Sequence, residues 1–480
     1  MASSSVISGV EPAVFIIFGI TGDLSQRKLL PALYHLVKQN LLSEHTAIVG
    51  VSRRAVKVEE ILNTTELCVN EQEGTCDPEV VNRLRKMFTM VQLDLTDGDD
   101  YERLGDILDK LDAHHGVALN RLFYLSIPPQ VYSPIVRLLG TRLINGSHRQ
   151  PAKVNRLLIE KPFGYDLTSA KELIEETGKY FHEEQIFRID HYVAKETVQN
   201  ILAFRFYNPL FQSVWDAKHI HHLEITALEK IDIEGRAAFY EETGALRDLI
   251  QSHLMQLVAL LTMEEPAALS SSLIHQEKVA LLKKIKPIAP DEVWRYAIRG
   301  QYEGYRQEVN NSDSYRETFA AIELSIDLPR WRNVPILIRT GKALSKKETR
   351  LVVAFRGQRR PTANSLSFMI QPSEGISLQL VAKTPGYEDQ LQPVDMAFDY
   401  EQVFDDHGHP DAYERVLIDA IRGDHTLFST SEEVLASWRA LETIIKAWET
   451  PIPQLHFYVK GSNGPEEANQ LAERHDTHWL

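Results

Sequence analysis

Nine consecutive residues, Arg188-Ile189-Asp190-His191-Tyr192-Val193-Ala194-Lys195-Glu196, set an imidazole, a phenol and an ammonium within five positions. Each of these groups donates hydrogen bonds to anionic oxygen, so the segment has the chemistry to clasp a phosphate. A lone His or Lys is ordinarily a solvated side chain, but three different phosphate donors this close are hard to read as surface filler. A second segment, Thr243-Gly244-Ala245-Leu246-Arg247-Asp248-Leu249-Ile250-Gln251-Ser252-His253, carries His253 beside an apolar stripe of Leu246, Ile250, Leu254, Leu257 and Leu261 at helical spacing. A histidine on such a face is commonly a satisfied core residue. Paired with a carboxylate it has the basicity to take a hydroxyl proton near neutral pH, and Asp190 is the candidate partner.

A third segment, Glu160-Lys161-Pro162-Phe163-Gly164, follows an apolar run, which puts Lys161 where it can reach both a cofactor and a substrate. Its Lys-Pro bond is a candidate cis peptide. Near the amino terminus, Gly19-Ile20-Thr21-Gly22-Asp23-Leu24 follows one strand and opens a helix, so backbone N–H groups and the positive helix end could hold a pyrophosphate. The spacing departs from the common Gly-x-Gly-x-x-Gly, and a glycine pair after a strand is often only a turn. A second strand, Val49-Gly50-Val51-Ser52, ends in Arg53-Arg54, where an NAD-selective fold places a carboxylate for the ribose hydroxyls. Two arginines suit an added 2'-phosphate without barring NAD, although a solvated arginine pair is the commoner occurrence. Tyr124-Leu125-Ser126-Ile127-Pro128-Pro129 closes another strand. His219, His221 and His222 lack an evident spaced carboxylate or cysteine partner, so no metal is expected.

The elements that must carry these groups follow from periodicity. Apolar runs at Val14 to Phe18, Ala47 to Val51, Met90 to Leu93, Leu122 to Leu125 and Leu157 to Ile159 alternate with helical patterns, the first from about Leu24. That rhythm predicts an α/β, Rossmann-like dinucleotide-binding domain with a mostly parallel sheet over residues 1–185. Residues 186–480 predict an α+β domain. It has helices near Ala194 to Phe206 and Leu246 to Leu261, and strands at Glu323 to Asp327, Val334 to Thr340, Leu351 to Phe355, Ser367 to Ile370 and Ser377 to Ala382 that look antiparallel. A helix near Ser431 to Trp448 is expected to pack back onto the body.

Composition narrows the class. The 480 residues are 43% hydrophobic and 25% charged, enough for large cores. With 52 basic against 67 acidic residues the formal charge is -15, which disfavours nucleic acid and anionic membrane as partners. Only Cys68 and Cys76 are present, joined by a polar stretch that reads as a loop, so no disulfide framework is expected and a reducing, cytoplasmic setting is. The apolar run from Ala13 to Ile20 is too short to span a bilayer.

Taken in order, Gly-x-x-Gly-Asp-Leu, Glu-Lys-Pro-Phe-Gly, Arg-Ile-Asp-His-Tyr, the Arg-Asp-x-x-Gln-x-His helix and Arg339-Thr340-Gly341-Lys342-Ala343-Leu344 resemble glucose-6-phosphate dehydrogenases along nearly the whole chain. The resemblance implies oxidation of D-glucose 6-phosphate to 6-phosphoglucono-lactone with NADP, the first oxidative step of the pentose phosphate pathway, and a homodimer or homotetramer formed through the large sheet. It implies that His253 is the general base with Asp190 balancing its imidazolium, and that His191, Tyr192 and Lys195 hold the phosphate. Lys161, Glu229, Asp248 and Lys342 would contact the sugar, with Lys347 aiding at the phosphate. Gly19, Thr21, Gly22, Asp23, Leu24, Arg53, Tyr124, Pro128 and Lys161 would line the cofactor. Val193-Ala194 stands where the family commonly has Leu-Gly, and Ser252 where it commonly has Asn.

Overall fold

The computed structural model describes residues 10–144, 154–357, 362–403 and 411–480. The chain divides into two compact units, the first formed by Met1–Gly164, Thr168–Ala194 and Pro410–Ser431, the second by Tyr165–Leu167, Lys195–His409 and Glu432–Leu480.

The first unit is built on a seven-stranded sheet: β1 (Ala13–Phe18), β2 (Ala47–Ser52), β3 (Phe88–Gln92), β4 (Asn120–Leu125), β5 (Asn155–Ile159), β6 (Ile186–Ile189) and β15 (Phe428–Ser429), in the order β15-β6-β5-β4-β1-β2-β3. All pairings are parallel except that of β15 with β6. Every residue of β1, β2 and β4 is buried, as expected where helices cover both faces. The strand order reverses between β1 and β4, and the crevice at the carboxyl ends of such a pair is where ligands of this fold bind. Helix boundaries follow local chemistry. Asp77 and Asp97 each accept a backbone N–H at the start of Pro78–Met87 and Gly98–His115, and left-handed Gly116 ends the latter.

The second unit carries a nine-stranded sheet: β7 (Ile220–Leu228), β8 (Ala297–Tyr302), β9 (Phe319–Leu324), β10 (Ile336–Gly341), β11 (Glu348–Arg356), β12 (Thr362–Gln371), β13 (Gly375–Lys383), β14 (Leu391–Asp399) and β16 (Leu455–Tyr458), ordered β14-β13-β12-β11-β7-β10-β9-β8-β16. It is mainly antiparallel, as expected, with β10 parallel to β7 and β16 parallel to β8. The strand expected at Glu323 to Asp327 instead covers Phe319–Leu324, because the buried run is Phe-Ala-Ala-Ile and the later alternation belongs to the exit toward Pro329. The stretch between the cysteines is helical through Glu73 rather than a loop, and both side chains are thiols.

No described helix is long and apolar enough to cross a membrane.

Candidate active site

In the first unit, β1 delivers the chain into a turn that only glycine fits. Gly19 has φ +81°, and a Cβ there would lie 2.2 Å from the Ser126 carbonyl oxygen on the neighbouring β4 turn. Ser25 locks the two turns together, its hydroxyl donating to the Gly19 carbonyl at 3.0 Å and hydrogen-bonded with the Ser126 hydroxyl at 2.9 Å. Gly22 donates its N–H to the Gly19 carbonyl at 2.8 Å, and Thr21 and Leu24 are half-buried on this turn. The helical segment that follows is a π-turn at Ser25–Leu29 continued as an α-helix, Leu30–Lys38. Asp23 is exposed and paired with Arg27 at 2.7 Å.

Arg53 and Arg54 are exposed just past β2, and Pro128 is exposed just past β4. A tight glycine turn at the switch point fits the pyrophosphate of a dinucleotide, and two solvent-facing guanidinium groups stand at the end of the adjacent strand. Tyr124 is fully buried, and its hydroxyl donates to the Glu160 carboxylate.

Glu160 follows β5 and is itself 8% exposed. Burial pushes its carboxyl up to about 7, opposed by the Tyr124 hydrogen bond and the Lys161 charge. Lys161 is half-buried, and the Lys161-Pro162 peptide is cis. At the end of β6, Asp190 is 2% exposed and accepts the Tyr192 N–H at 3.0 Å. The His191 ring lies 5.2 Å from that of Tyr192 and 6.2 Å from that of Tyr413, the latter pair nearly parallel at 16°. The structure thus groups Lys161, Asp190, His191 and Tyr192 at the carboxyl ends of β5 and β6.

In the second unit, Lys195 precedes the helix Glu196–Tyr207, and its ammonium donates to the Ile370 carbonyl at 3.3 Å. Glu374 anchors the same helix start, accepting from the N–H and hydroxyl of Thr197 at 2.9 and 2.7 Å.

His253 is fully buried on a π-helix, Leu246–Leu254, that becomes α-helical at Met255–Thr262. The expected single helix is therefore two helical forms end to end, and wide π-turns recur at functional sites. The apolar stripe is buried as its spacing predicts. Glu317 fixes the start of this helix, accepting the Leu246 N–H at 3.1 Å, while its own carbonyl accepts that of Ala245 at 3.0 Å. A Cβ on Gly244 would lie 2.2 Å from the Glu317 carboxylate. Asp248 is half-buried one turn before His253.

Lys342, just past β10, is 2% exposed and paired with Glu229, just past β7. The parallel β7–β10 pairing sets these two residues side by side. Lys347 is exposed on the segment leading into β11.

Two of the three clustered histidines meet carboxylates, contrary to the sequence reading, while His221 bonds His222 at 2.8 Å. His219 contacts Asp216 at 2.8 Å and His222 contacts Glu224 at 3.0 Å, because strand alternation sets residues 222 and 224 on one face. Among the described residues no group of three His, Cys, Asp or Glu converges as a metal site. Sequence reasoning missed Glu160, Tyr413 and Glu317. Only Glu160 carried a signal, its place directly after an apolar strand.

A family model described as "Glucose-6-phosphate dehydrogenase, NAD binding domain" matches residues 16–200, and "Glucose-6-phosphate dehydrogenase, C-terminal domain" matches residues 202–480. The chain is 40% identical to a glucose-6-phosphate 1-dehydrogenase of Chlamydia muridarum, covering 98% of this chain and 96% of that one. It is 37% identical to the enzyme of that name from Bacillus subtilis, covering 97% and 98%. A solved glucose-6-phosphate dehydrogenase in complex with its substrate glucose-6-phosphate superposes with a TM-score of 0.90 at 32% identity, covering 98% of this chain and 99% of that one. With two family models in sequence order reaching from residue 16 to residue 480, the chain belongs to the glucose-6-phosphate dehydrogenase family.

Proposed function

We propose that this protein oxidises D-glucose 6-phosphate at its anomeric carbon with NADP, giving 6-phosphoglucono-lactone, the first oxidative step of the pentose phosphate pathway. The observation that carries this reading is the fully buried His253 imidazole, held on a π-turn fixed by Glu317, in a chain that aligns end to end with glucose-6-phosphate 1-dehydrogenases.

In this reading His253 takes the proton of the C1 hydroxyl, and Asp190 carries the negative charge that balances the imidazolium. His191, Tyr192 and Lys195 hold the phosphate, with Lys347 adding positive charge. Lys161, Glu229, Asp248 and Lys342 orient the sugar hydroxyls. Positioning of two ligands supplies most of the catalysis, since no covalent intermediate is needed. A nicotinamide held there would supply the acceptor for the hydride that leaves C1 as the C1–O bond becomes the lactone carbonyl. Gly19, Thr21, Gly22, Asp23 and Leu24 form the turn for its pyrophosphate, while Arg53 favours NADP by charge on the 2'-phosphate, NAD remaining a weaker alternative. Tyr124, Pro128 and Lys161 complete that side.

Two thiols suit a reducing cytoplasm. The outer strands β13 and β14 expose Val381, Leu391, Met396 and Phe398, which supports a homodimer or homotetramer built through the large sheet. The test is reduction of NADP on mixing with glucose 6-phosphate, repeated with unphosphorylated glucose. Turnover confined to the phosphorylated sugar is expected, and equal turnover of both would remove the phosphate clasp from the proposal.

A further inference from the structure

Glu160 takes no part in the proton and hydride steps above, yet three tyrosines from three elements converge on it. Tyr124, near the end of β4, donates its hydroxyl to the carboxylate. Tyr132, opening the helix Tyr132–Leu138, donates to the Glu160 carbonyl oxygen at 3.2 Å. Tyr413, on the helix Ala412–Arg422, hydrogen-bonds the carboxyl group as well.

That last helix is fixed at both ends. Asp411 caps its start, accepting the Tyr413 N–H at 2.9 Å. Arg156 grips its end, donating to the Ala420 carbonyl at 2.8 Å, and left-handed Gly423 leaves room where a Cβ would lie 2.7 Å from that guanidinium. Arg156 stands near the beginning of β5 and Glu160 just past its end, so one strand holds both ends of the helix that carries Tyr413. The Tyr413 ring in turn lies nearly parallel to the ring of His191. The charged groups facing the Glu160 carboxyl are Lys161, which favours its ionised form, and Asp190, which opposes it.

We infer that Glu160 is a positioning residue for this reaction: its carboxylate, gripped by Tyr124 and Tyr413, fixes the Lys161 ammonium and seats His191 against the Tyr413 ring. The inference rests on the proposed oxidation of a sugar phosphate. An ionised carboxylate only accepts hydrogen bonds and so receives both phenols, whereas a protonated carboxyl must also donate and no longer offers Lys161 a charge. Burial raises the carboxyl to about 7, so the change of state falls near neutral pH.

The experiment is kcat/KM for glucose 6-phosphate as a function of pH in the wild type, Glu160→Gln and Tyr413→Phe, with thermal unfolding measured first. Glu160→Gln should lose roughly 10–100-fold above about pH 8, the range typical when a partner that orients a functional group is removed. Its activity relative to wild type should climb toward one below about pH 6, because the wild type there loses the same charge. Tyr413→Phe keeps the ring beside His191 but removes a donor to the carboxylate, so the acidic limb should move to higher pH.

A loss that is equal at every pH, or profiles that superimpose on the wild type, would overturn the inference. Should Glu160→Gln fail to fold, the Tyr413→Phe limb decides: displaced upward it supports the role, unmoved it overturns it. Wild-type turnover separates the two claims, since an inactive wild type sinks the proposed function, whereas an active one with unmoved variant profiles sinks only the role of Glu160.

Discussion

The Lys342 ammonium is paired with the Glu229 carboxylate at the carboxyl ends of two parallel strands, β10 and β7. Lys342 is almost wholly buried and also lies 5.6 Å from the Tyr240 ring centroid, so its position is set from two sides. Both residues are proposed to orient the sugar hydroxyls, and the pairing means that neither can be altered without disturbing the other.

Lys342→Ala is therefore expected to raise KM for glucose 6-phosphate about tenfold or more, the worth of one charge-assisted hydrogen bond, while KM for NADP stays near the wild-type value. Steady-state kinetics with each ligand varied in turn reads this directly. Equal changes in both constants would point to a general collapse of the region.

His253→Asn preserves approximate size and polarity in a fully buried position but removes the basic nitrogen. A drop in kcat of about 10²–10⁴-fold is expected, the usual contribution of a general base, with binding of glucose 6-phosphate retained by calorimetry. Activity within a fewfold of wild type would remove His253 from the base role.

Arg53 is exposed at the end of β2, so its replacement should leave folding intact. Arg53→Ala is expected to reduce the preference for NADP over NAD roughly tenfold, mostly by raising KM for NADP. An unchanged preference would pass the role to another group.

Glu433 forms a buried triad with His275 at 2.7 Å and Lys278 at 3.0 Å, tying the helix Ser271–Leu282 to the helix Ser431–Trp448. Burial alone would raise its carboxyl, but Lys278 and His275 more than offset that and hold it below the ordinary carboxylate range. A carboxylate lowered on folding contributes stability above its unfolded value of about 4.3, and that contribution is lost as pH falls through the folded value. Glu433→Gln should cost about 3–5 kcal/mol at neutral pH by stranding the Lys278 charge. Its Tm should also fall less steeply than the wild type below about pH 4.5. Parallel Tm curves for the two proteins would contradict this.

Much of the first unit was legible because parallel strands buried on both faces read as unbroken apolar runs, as in Ala13–Phe18. β14 was not legible: its residues are exposed almost throughout, so no core imposes alternation on Leu391–Asp399. The return of residues 410–431 to the first unit also left no periodic trace, since a helix such as Ala412–Arg422 shows which face it buries but not against what. Among the candidate site residues, His191 and Lys195 stand out in the sequence by density and His253 by its place on an apolar stripe. Its place after an apolar strand is the only sequence signal Glu160 carries, because a Glu beside a Lys ordinarily reads as a solvated pair and three tyrosines distant in sequence surround this one.

The proposed reaction requires that hydride leave the anomeric carbon of glucose 6-phosphate for the nicotinamide ring. The direct measurement uses glucose 6-phosphate deuterated at C1, with the reduced cofactor examined by mass spectrometry and NMR. One deuterium per reduced NADP, located on the nicotinamide ring, is the predicted result. Deuterium lost to water, or no cofactor reduction by the labelled or unlabelled sugar phosphate, would contradict it.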